Sequence, residues 1–570
     1  MGEGPTIWSR RMRLRPMIAV AAAVALAVGV AIGATAASAS STPKFAGYHT
    51  PALVSASYYR DTNRTATPIK HVVVIFDENE SFDHYFGTYP YAANTDGTPF
   101  YAKRGTPTVD GLYTKITRSG PVGPLLTNNP NEYNPQRLTH SQALTCDQNH
   151  DYLPEQQAEN NGKMNEFVQY TESSDCSTTG EYYGPPGIVM SYFDGNTVTG
   201  LWNYAQNYAM SDNNWDTTFG PSTEGAISVS SGLSSHSYAV TPSGTPTTDP
   251  GAVTSDGTIY GDLDPYYDEC SDSNHTSTNP EGVMTGENIG NLLNGGHVTW
   301  GWFQGGFTPT SSNSGGAVCG AQSENIDGSA LNEYTPHWEP FQFNATTANP
   351  AHLPPSSEAA IGRTDQANHQ YDLSDFFETL KDGNMPSVSY LKATTAQSGH
   401  PGESDPLDEQ QWIVNTVNQI EQSKYWPSTA IAITYDDSDG WYDHVSPQSA
   451  GALINGSDNS TIDTAMCEET AMTVGSGSGR CGYSQRLPMI VISPYTRDNY
   501  VSNNLTDTTS VVKFIENNWL HSERIPGSFD ASSGSLDAPG GLLDFNVRPH
   551  FQPLILNPTT GAVVSGGGWG

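Results

Sequence analysis

The stretch HVVVIFDENESFDHYFG, His71 to Gly87, opens with β-branched apolar residues and stops abruptly on Asp77, Glu78 and Asn79. A run of that kind predicts a strand buried on both faces over His71–Phe76, followed by polar residues at its carboxyl end. In open α/β sheets ligands collect in the crevice beyond the carboxyl ends of the strands, so Glu78 and Asn79 are expected to point into such a crevice. Oxygen donors at a strand end suit a hard cation. The alternative for this segment alone is an ordinary polar turn after a buried strand.

A second segment repeats the pattern. TAIAITYDDSDGWYDHVSP, from Thr429, reads as another buried strand, ending on Asp436 and Asp437 and followed by a glycine turn and Asp443-His444. If the two strands are neighbours, Glu78, Asn79, Asp436 and Asp437 converge on one sheet edge, a donor set for Mg, Mn, Ca or Fe. Further apolar, β-rich segments begin at His297 (HVTWGWF), Met385 (MPSVSYL) and Leu487 (LPMIVIS). Helical spacing marks Trp412, Val414, Val417 and Ile420, and again Val511, Val512, Ile515 and Trp519. Strands alternating with helices predict an α/β fold with a mostly parallel central sheet.

The chain has 570 residues, enough for one large enzyme domain with insertions. Arg10, Arg11, Arg13 and Arg15 precede an apolar stretch from Met17 to Gly33, and ATAASAS follows, so residues 1–39 read as a secretory signal peptide. Arg10-Arg11 after Ser9 also hints at twin-arginine export. Residues 40–67 read as a linker, 68–525 as the catalytic domain with a loop-rich insertion at about 230–370, and 526–570 as a C-terminal extension with a frayed glycine-rich end. The formal charge is -36; without residues 1–39 it is -39, from 20 basic and 59 acidic residues. Such a surface repels nucleic acid and anionic membrane, and any anionic substrate must be attracted locally. After cleavage the protein is expected to be extracellular, with no stable membrane insertion. Six cysteines fall into sequence-near pairs, Cys146 with Cys176, Cys270 with Cys319, and Cys467 with Cys481, which fits an oxidising compartment and structural staples.

In DNNWDTTFGPSTEGAISVSSG, Gly220-Pro221 forces a turn and Ser222 falls at the start of a helix, where free backbone N–H groups favour an anion. Ser222 is either an N-cap or a nucleophile, and a bound cation would favour the second by lowering the hydroxyl pKa. His150, His337 and His400 are candidates for proton transfer or for binding an anion, though each alone could be an ordinary packed histidine.

Taken together, these segments resemble the secreted bacterial phosphoesterases that include acid phosphatases and phosphatidylcholine-preferring phospholipases C. ENESFDHYFG is similar to that family's ENRSFDHYFG, with Glu80 in place of Arg, and HDYLPEQQAENNGKMNEF to its HD segment ending in GKMDGF. GPST is similar to its GPS or GPT nucleophile turn, and YDDSDGWYDHVSP to its D(D/E)xGGxxDHVPP segment, with Asp439 where glycine is common. The resemblance runs from about Pro68 to Leu520. It implies an alkaline-phosphatase-like α/β sandwich, a divalent metal held by Glu78, Asn79, Ser222, Asp436 and Asp437, Ser222 as nucleophile, and His150, His337 and His400 around the phosphoryl group.

GPSTEGAISVSSG and DTTSVVKFIE resemble the acid-phosphatase branch more than the phospholipase branch. The expected function is therefore hydrolysis of phosphate monoesters, the partner being a small phosphorylated substrate. A phospholipase C acting on a choline phospholipid headgroup is the alternative. A non-catalytic secreted metal- or polymer-binding protein is a second one, and would leave the five proposed ligands scattered.

Overall fold

Alternation along His71–Asp77 sends Val73 and Ile75 to one side of a sheet and Val72, Val74 and Phe76 to the other, every one of them buried. Burying each such side chain contributes about 1.5–3 kcal/mol, so the strand is strongly held and its polar end is carried to a fixed place. The computed structural model that gives this arrangement describes residues 45, 47–53, 64–173, 182–249, 251–253, 257–447, 454–455 and 481–567. The expected signal peptide, most of the linker, and the pairings of Cys146 with Cys176 and of Cys467 with Cys481 involve positions outside the described residues.

Eight strands form the main sheet: β1 (His71–Asp77), β2 (Ala209–Ser211), β3 (Trp300–Gln304), β4 (Gln370–Asp372), β5 (Val388–Lys392), β6 (Thr429–Tyr435), β7 (Met489–Ile492) and β8 (Tyr500–Ser502). Their spatial order is β4-β3-β5-β1-β6-β7-β2-β8. All run in one direction except β7, which is antiparallel to both of its neighbours. The expected mostly parallel α/β sheet is therefore the observed one. The register sets Asp77 opposite Tyr435, so β1 and β6 end at the same level and release Glu78-Asn79 and Asp436-Asp437 side by side.

Helices cover both faces. They are α1 (Phe82–Phe86), α2 (Tyr152–Glu159), α3 (Thr199–Asn207), α4 (Ser222–Ser230), α5 (Ile289–Gly295), α6 (Leu373–Asp382), α7 (Pro406–Glu421) and α8 (Ser510–Trp519). α1, α3, α6 and α7 share a core with Val73 and Ile75, while α4, α5 and α8 share one with Val72, Val74 and Phe76. α7 shows how local signals agree with packing: Asp405 caps it by accepting from the N–H groups of Leu407 (2.7 Å) and Asp408 (3.0 Å), Pro406 opens it, and Trp412, Val417 and Ile420 are buried.

The span 230–370 is more than loop. It supplies β3, the strand that HVTWGWF predicts, together with α5 and the disulfide Cys270–Cys319. Residues beyond 525 also pack on the sheet, with Leu542 and Leu543 buried on one face and Leu554 and Leu556 on the other. Among the described residues, no helix is long and apolar enough to cross a membrane.

Candidate active site

The ends of β1 and β6 are stitched together by backbone hydrogen bonds. Asn79 takes the left-handed conformation (φ 59°), which asparagine tolerates better than most residues, and its N–H donates to Asp436 Oδ1 at 3.0 Å. Glu80 N–H donates to Asp437 O at 3.0 Å and Asp437 N–H to Asp436 Oδ1 at 2.9 Å. All four side chains are fully buried.

Ser222 arrives from the other side, on the first turn of α4. Gly220 sits at φ 116°, a conformation open to glycine and strained for other residues, and turns the chain into the helix. Gly225 lets the helix lie against β6, since a Cβ there would stand 2.2 Å from the Asp436 carbonyl oxygen. The N-cap is Pro221, so the N-cap reading of Ser222 does not hold: its side chain turns away from the helix backbone. Ser222 Oγ lies 3.2 Å from Glu78 Oε2, 3.2 Å from Asp437 Oδ2 and 3.4 Å from Asn79 Oδ1. A hydroxyl has one proton, so three acceptors around it leave the cluster short of positive charge.

The shortage extends to its neighbours. The Asn79 carboxamide oxygen faces acceptors, Glu78 Oε2 at 2.6 Å and Asp436 Oδ1 at 3.0 Å, and a half-turn of the amide would place its nitrogen there instead. Among the described residues Asp436 Oδ2 takes no hydrogen bond. Burial first, then Asp436, pushes the Glu78 carboxyl well above its ordinary range, and burial with Asp436 does the same to Asp437. Five convergent oxygen donors, none of them soft, fit a hard divalent cation. The scatter expected of a non-catalytic protein is not what these distances describe.

The three histidines enter from loops. His150 Nε2 and His400 Nε2 lie 3.4 and 3.2 Å from Asn79 Nδ2, at the mouth of the cluster. Burial lowers the His150 pKa, but Asp437, Asp439 and Asp147 more than offset it and hold the imidazole well above its usual value. Asp439 explains its own place in the sequence: it adopts the left-handed conformation (φ 53°), as a glycine would, while its carboxylate lies 3.3 Å from His150 Nδ1. His337 stands further out, in the turn Pro336–Trp338 that packs against α4, with Nδ1 3.6 Å from Asp264 Oδ1. Burial again lowers the imidazole pKa, but Asp262 and Asp264 outweigh it and raise His337 to about 9. Its link to the cluster is electrostatic: Asp262, which accepts from Thr223 N–H (3.1 Å) and Oγ1 (2.8 Å), interacts with both His337 and His150.

Sequence reading missed several contributors. Lys392, the last residue of β5, is fully buried, pairs with Glu78 Oε1, lies 3.8 Å from Asp436 Oδ2, and sits 4.8 Å from the rings of both Phe76 and Trp338. Its signal was present, a charge closing an apolar run just as Asp77 does. Trp338 packs near-parallel to the His400 ring at 6.4 Å. Glu155, buried on α2, accepts from Gly220 N–H (3.1 Å), Ser438 Oγ (2.8 Å) and Ser484 Oγ (3.2 Å), and so joins the serine turn to the carboxylate turn. Burial, opposed by those hydrogen bonds, raises its carboxyl to about 7.

Non-hemolytic phospholipase C of Burkholderia pseudomallei is 37% identical over 142 residues, 24% of this chain and 20% of that protein. Phospholipase C A of Mycobacterium tuberculosis is 29% identical over 192 residues, 33% of this chain and 35% of the other. The matched parts thus span only about a fifth to a third of those relatives' length. A solved structure in the alkaline phosphatase superfamily from Vibrio parahaemolyticus covers 60% of this chain and 65% of its own at 11% identity, with a TM-score of 0.27, too low to bear on the topology. The model of the Phosphoesterase family matches residues 69–520, and with that match the chain belongs to the Phosphoesterase family.

Proposed function

We propose that the chain is an exported, metal-dependent hydrolase of phosphate esters that acts through Ser222. The reading rests on one observation above all: Ser222 Oγ lies within 3.4 Å of oxygens from Glu78, Asn79 and Asp437, which belong to two different strand ends. A divalent cation held by Glu78, Asn79, Ser222, Asp436 and Asp437 would lower the serine pKa and offset charge on the phosphoryl oxygens. Ser222 gives its proton to a neighbouring carboxylate and its Oγ bonds to phosphorus as the P–O bond to the alcohol breaks. A protonated histidine, His400 or His337, supplies the proton to the leaving alcohol. Water then cleaves the phosphoserine, restoring the hydroxyl and releasing phosphate. His150, whose imidazole Asp437 and Asp439 hold above its usual pKa, attracts the anionic substrate into a protein of charge -36. The leader-like residues 1–39 are what support export.

Monoesters are the first reading, on the GPSTEGAISVSSG and DTTSVVKFIE resemblance. A specific observation favours phospholipid diesters as the second. Leu153, Tyr170 and Ile326 are exposed large apolar residues. Leu153 lies one turn beyond His150, and Tyr170 accepts through its carbonyl from Asn149. Ile326 follows Asn325, which donates to Glu403 O near His400. The relatives matched are also phospholipases. Rates on p-nitrophenyl phosphate and on its phosphorylcholine diester separate the two. A faster monoester supports the first reading; a faster diester replaces it with the second; turnover of neither overturns the proposed activity.

A further inference from the structure

A cavity lies at the opposite edge of the sheet from Ser222. It has a volume of about 260 Å³ and is lined by Arg497, Arg548, His550, Asp498, Asn207 and Tyr208 among others. Tyr208 precedes β2, and Ser493, also in its wall, follows the antiparallel β7, which places the cavity at the amino ends of the parallel strands. In a chain with 24 Lys and Arg against 60 Asp and Glu, such a concentration of basic groups is exceptional. Lys103 adds a third permanent cation at the rim, its Nζ 2.5 Å from Asn207 Oδ1 and 3.8 Å from Asp498 Oδ1.

The basic groups are also held in place. Asp544 Oδ2 takes Nε (2.8 Å) and Nη2 (2.6 Å) of Arg497, whose guanidinium lies 4.8 Å from the Tyr500 ring centroid. Tyr208 is fixed by donating its hydroxyl to Glu421 Oε1 at 2.8 Å. Arg497 is thereby preorganised, and a guanidinium held in this way loses little entropy when its remaining Nη1 group binds an oxyanion. The volume exceeds what a bare oxyanion needs and falls just below the range of about 300–1,000 Å³ typical of drug-sized ligands. Val547 and the Tyr208 ring supply a small apolar wall.

We infer that this cavity is a second anion site, which takes a phosphate group carried on a small organic body and is separate from the site at Ser222. The test is equilibrium dialysis of radiolabelled orthophosphate against the full chain, its Arg548→Ala variant and its Arg497→Ala/Arg548→Ala variant, with p-nitrophenyl phosphate turnover measured on each. Arg548→Ala leaves the Arg497–Asp544 pair intact, so it remains informative if the double variant folds poorly. The expected result is one equivalent of phosphate bound at least tenfold more weakly by Arg548→Ala and lost from the double variant, while kcat is unchanged. Phosphate binding that is the same in all three proteins overturns the inference. If the proposed function fails instead, the wild-type chain loses turnover and its binding at Ser222 but still shows the equivalent that depends on Arg548.

Discussion

Glu78, Asn79, Asp436 and Asp437 leave the sheet from two adjacent strands in register, whereas His150, His337 and His400 come from three loops separated by long stretches of chain. The first group is positioned by the core: strands buried on both faces fix where their ends lie, and backbone hydrogen bonds of 2.9–3.0 Å close the remaining freedom. The second group is positioned by individual side chains such as Asp439, Trp338 and Asp262. The oxygen cluster therefore inherits the rigidity of the sheet, while the histidine ring depends on contacts that single substitutions can remove. A rigid anionic pole facing an adjustable ring of histidines is also a sensible division of labour for holding a cation on one side and a varying ester on the other.

Substitutions can break that contrast in graded steps. Lys392→Met removes a buried cation beside Glu78 and Asp436, and leaving buried charge uncompensated costs about 3–5 kcal/mol, read by chemical denaturation in the presence of chelator. Added divalent cation should return part of the loss. Gly225→Ala drives a methyl group into the Asp436 backbone, and overpacking of this kind costs about 1–3 kcal/mol. Its diagnostic is that cation affinity falls along with stability, because α4 and β6 are pushed apart; an unchanged affinity would mean that the helix does not set the Ser222 position.

Glu155→Gln tests the loop-side supports. It replaces one acceptor oxygen by a donor in a site that offers three donors, and a small displacement of the serine turn should lower kcat by about 10- to 100-fold with KM little changed. Equal changes in kcat and KM would argue for binding, not positioning. The smallest effect concerns His337. Its folded pKa of about 9 lies above the ordinary 6.5, so its pairing with Asp262 and Asp264 stabilises fully below pH 6.5 and is lost as pH rises through 9. With the side chain 26% exposed, screening limits the contribution to about 1–2 kcal/mol. The stability difference between wild type and His337→Gln should shrink across that window; a difference that grows with pH would contradict the pairing.

What could be read in the sequence follows the same division. β1 and β6 were legible because two independent signals coincide, a β-branched run and an abrupt acidic end, and β6 matches TAIAITY residue for residue. Lys392 carries the same kind of signal but lies one residue past the segment MPSVSYL as it was read. Of the two roles that position alone offers Ser222, the N-cap is the one that falls, because Pro221 occupies the cap. Glu155, Asp262 and Trp338 have no periodicity that marks them. A glutamate on a helix is usually solvated, and only the tertiary fold turns this one under Gly220 and Ser438. The antiparallel strand of the main sheet, β7, was equally invisible, since strand direction leaves no trace in an apolar run buried on both faces.

The central claim is that Ser222 and a cation at the carboxyl edge act together, and turnover of p-nitrophenyl phosphate by the intact chain and by Ser222→Ala, each before and after chelation, tests it most directly. Chelation and the substitution should each lower kcat by about a thousandfold or more, with added divalent cation rescuing the first and not the second. Activity that survives chelation, or a folded Ser222→Ala protein that keeps more than about a tenth of the wild-type rate, would contradict the account.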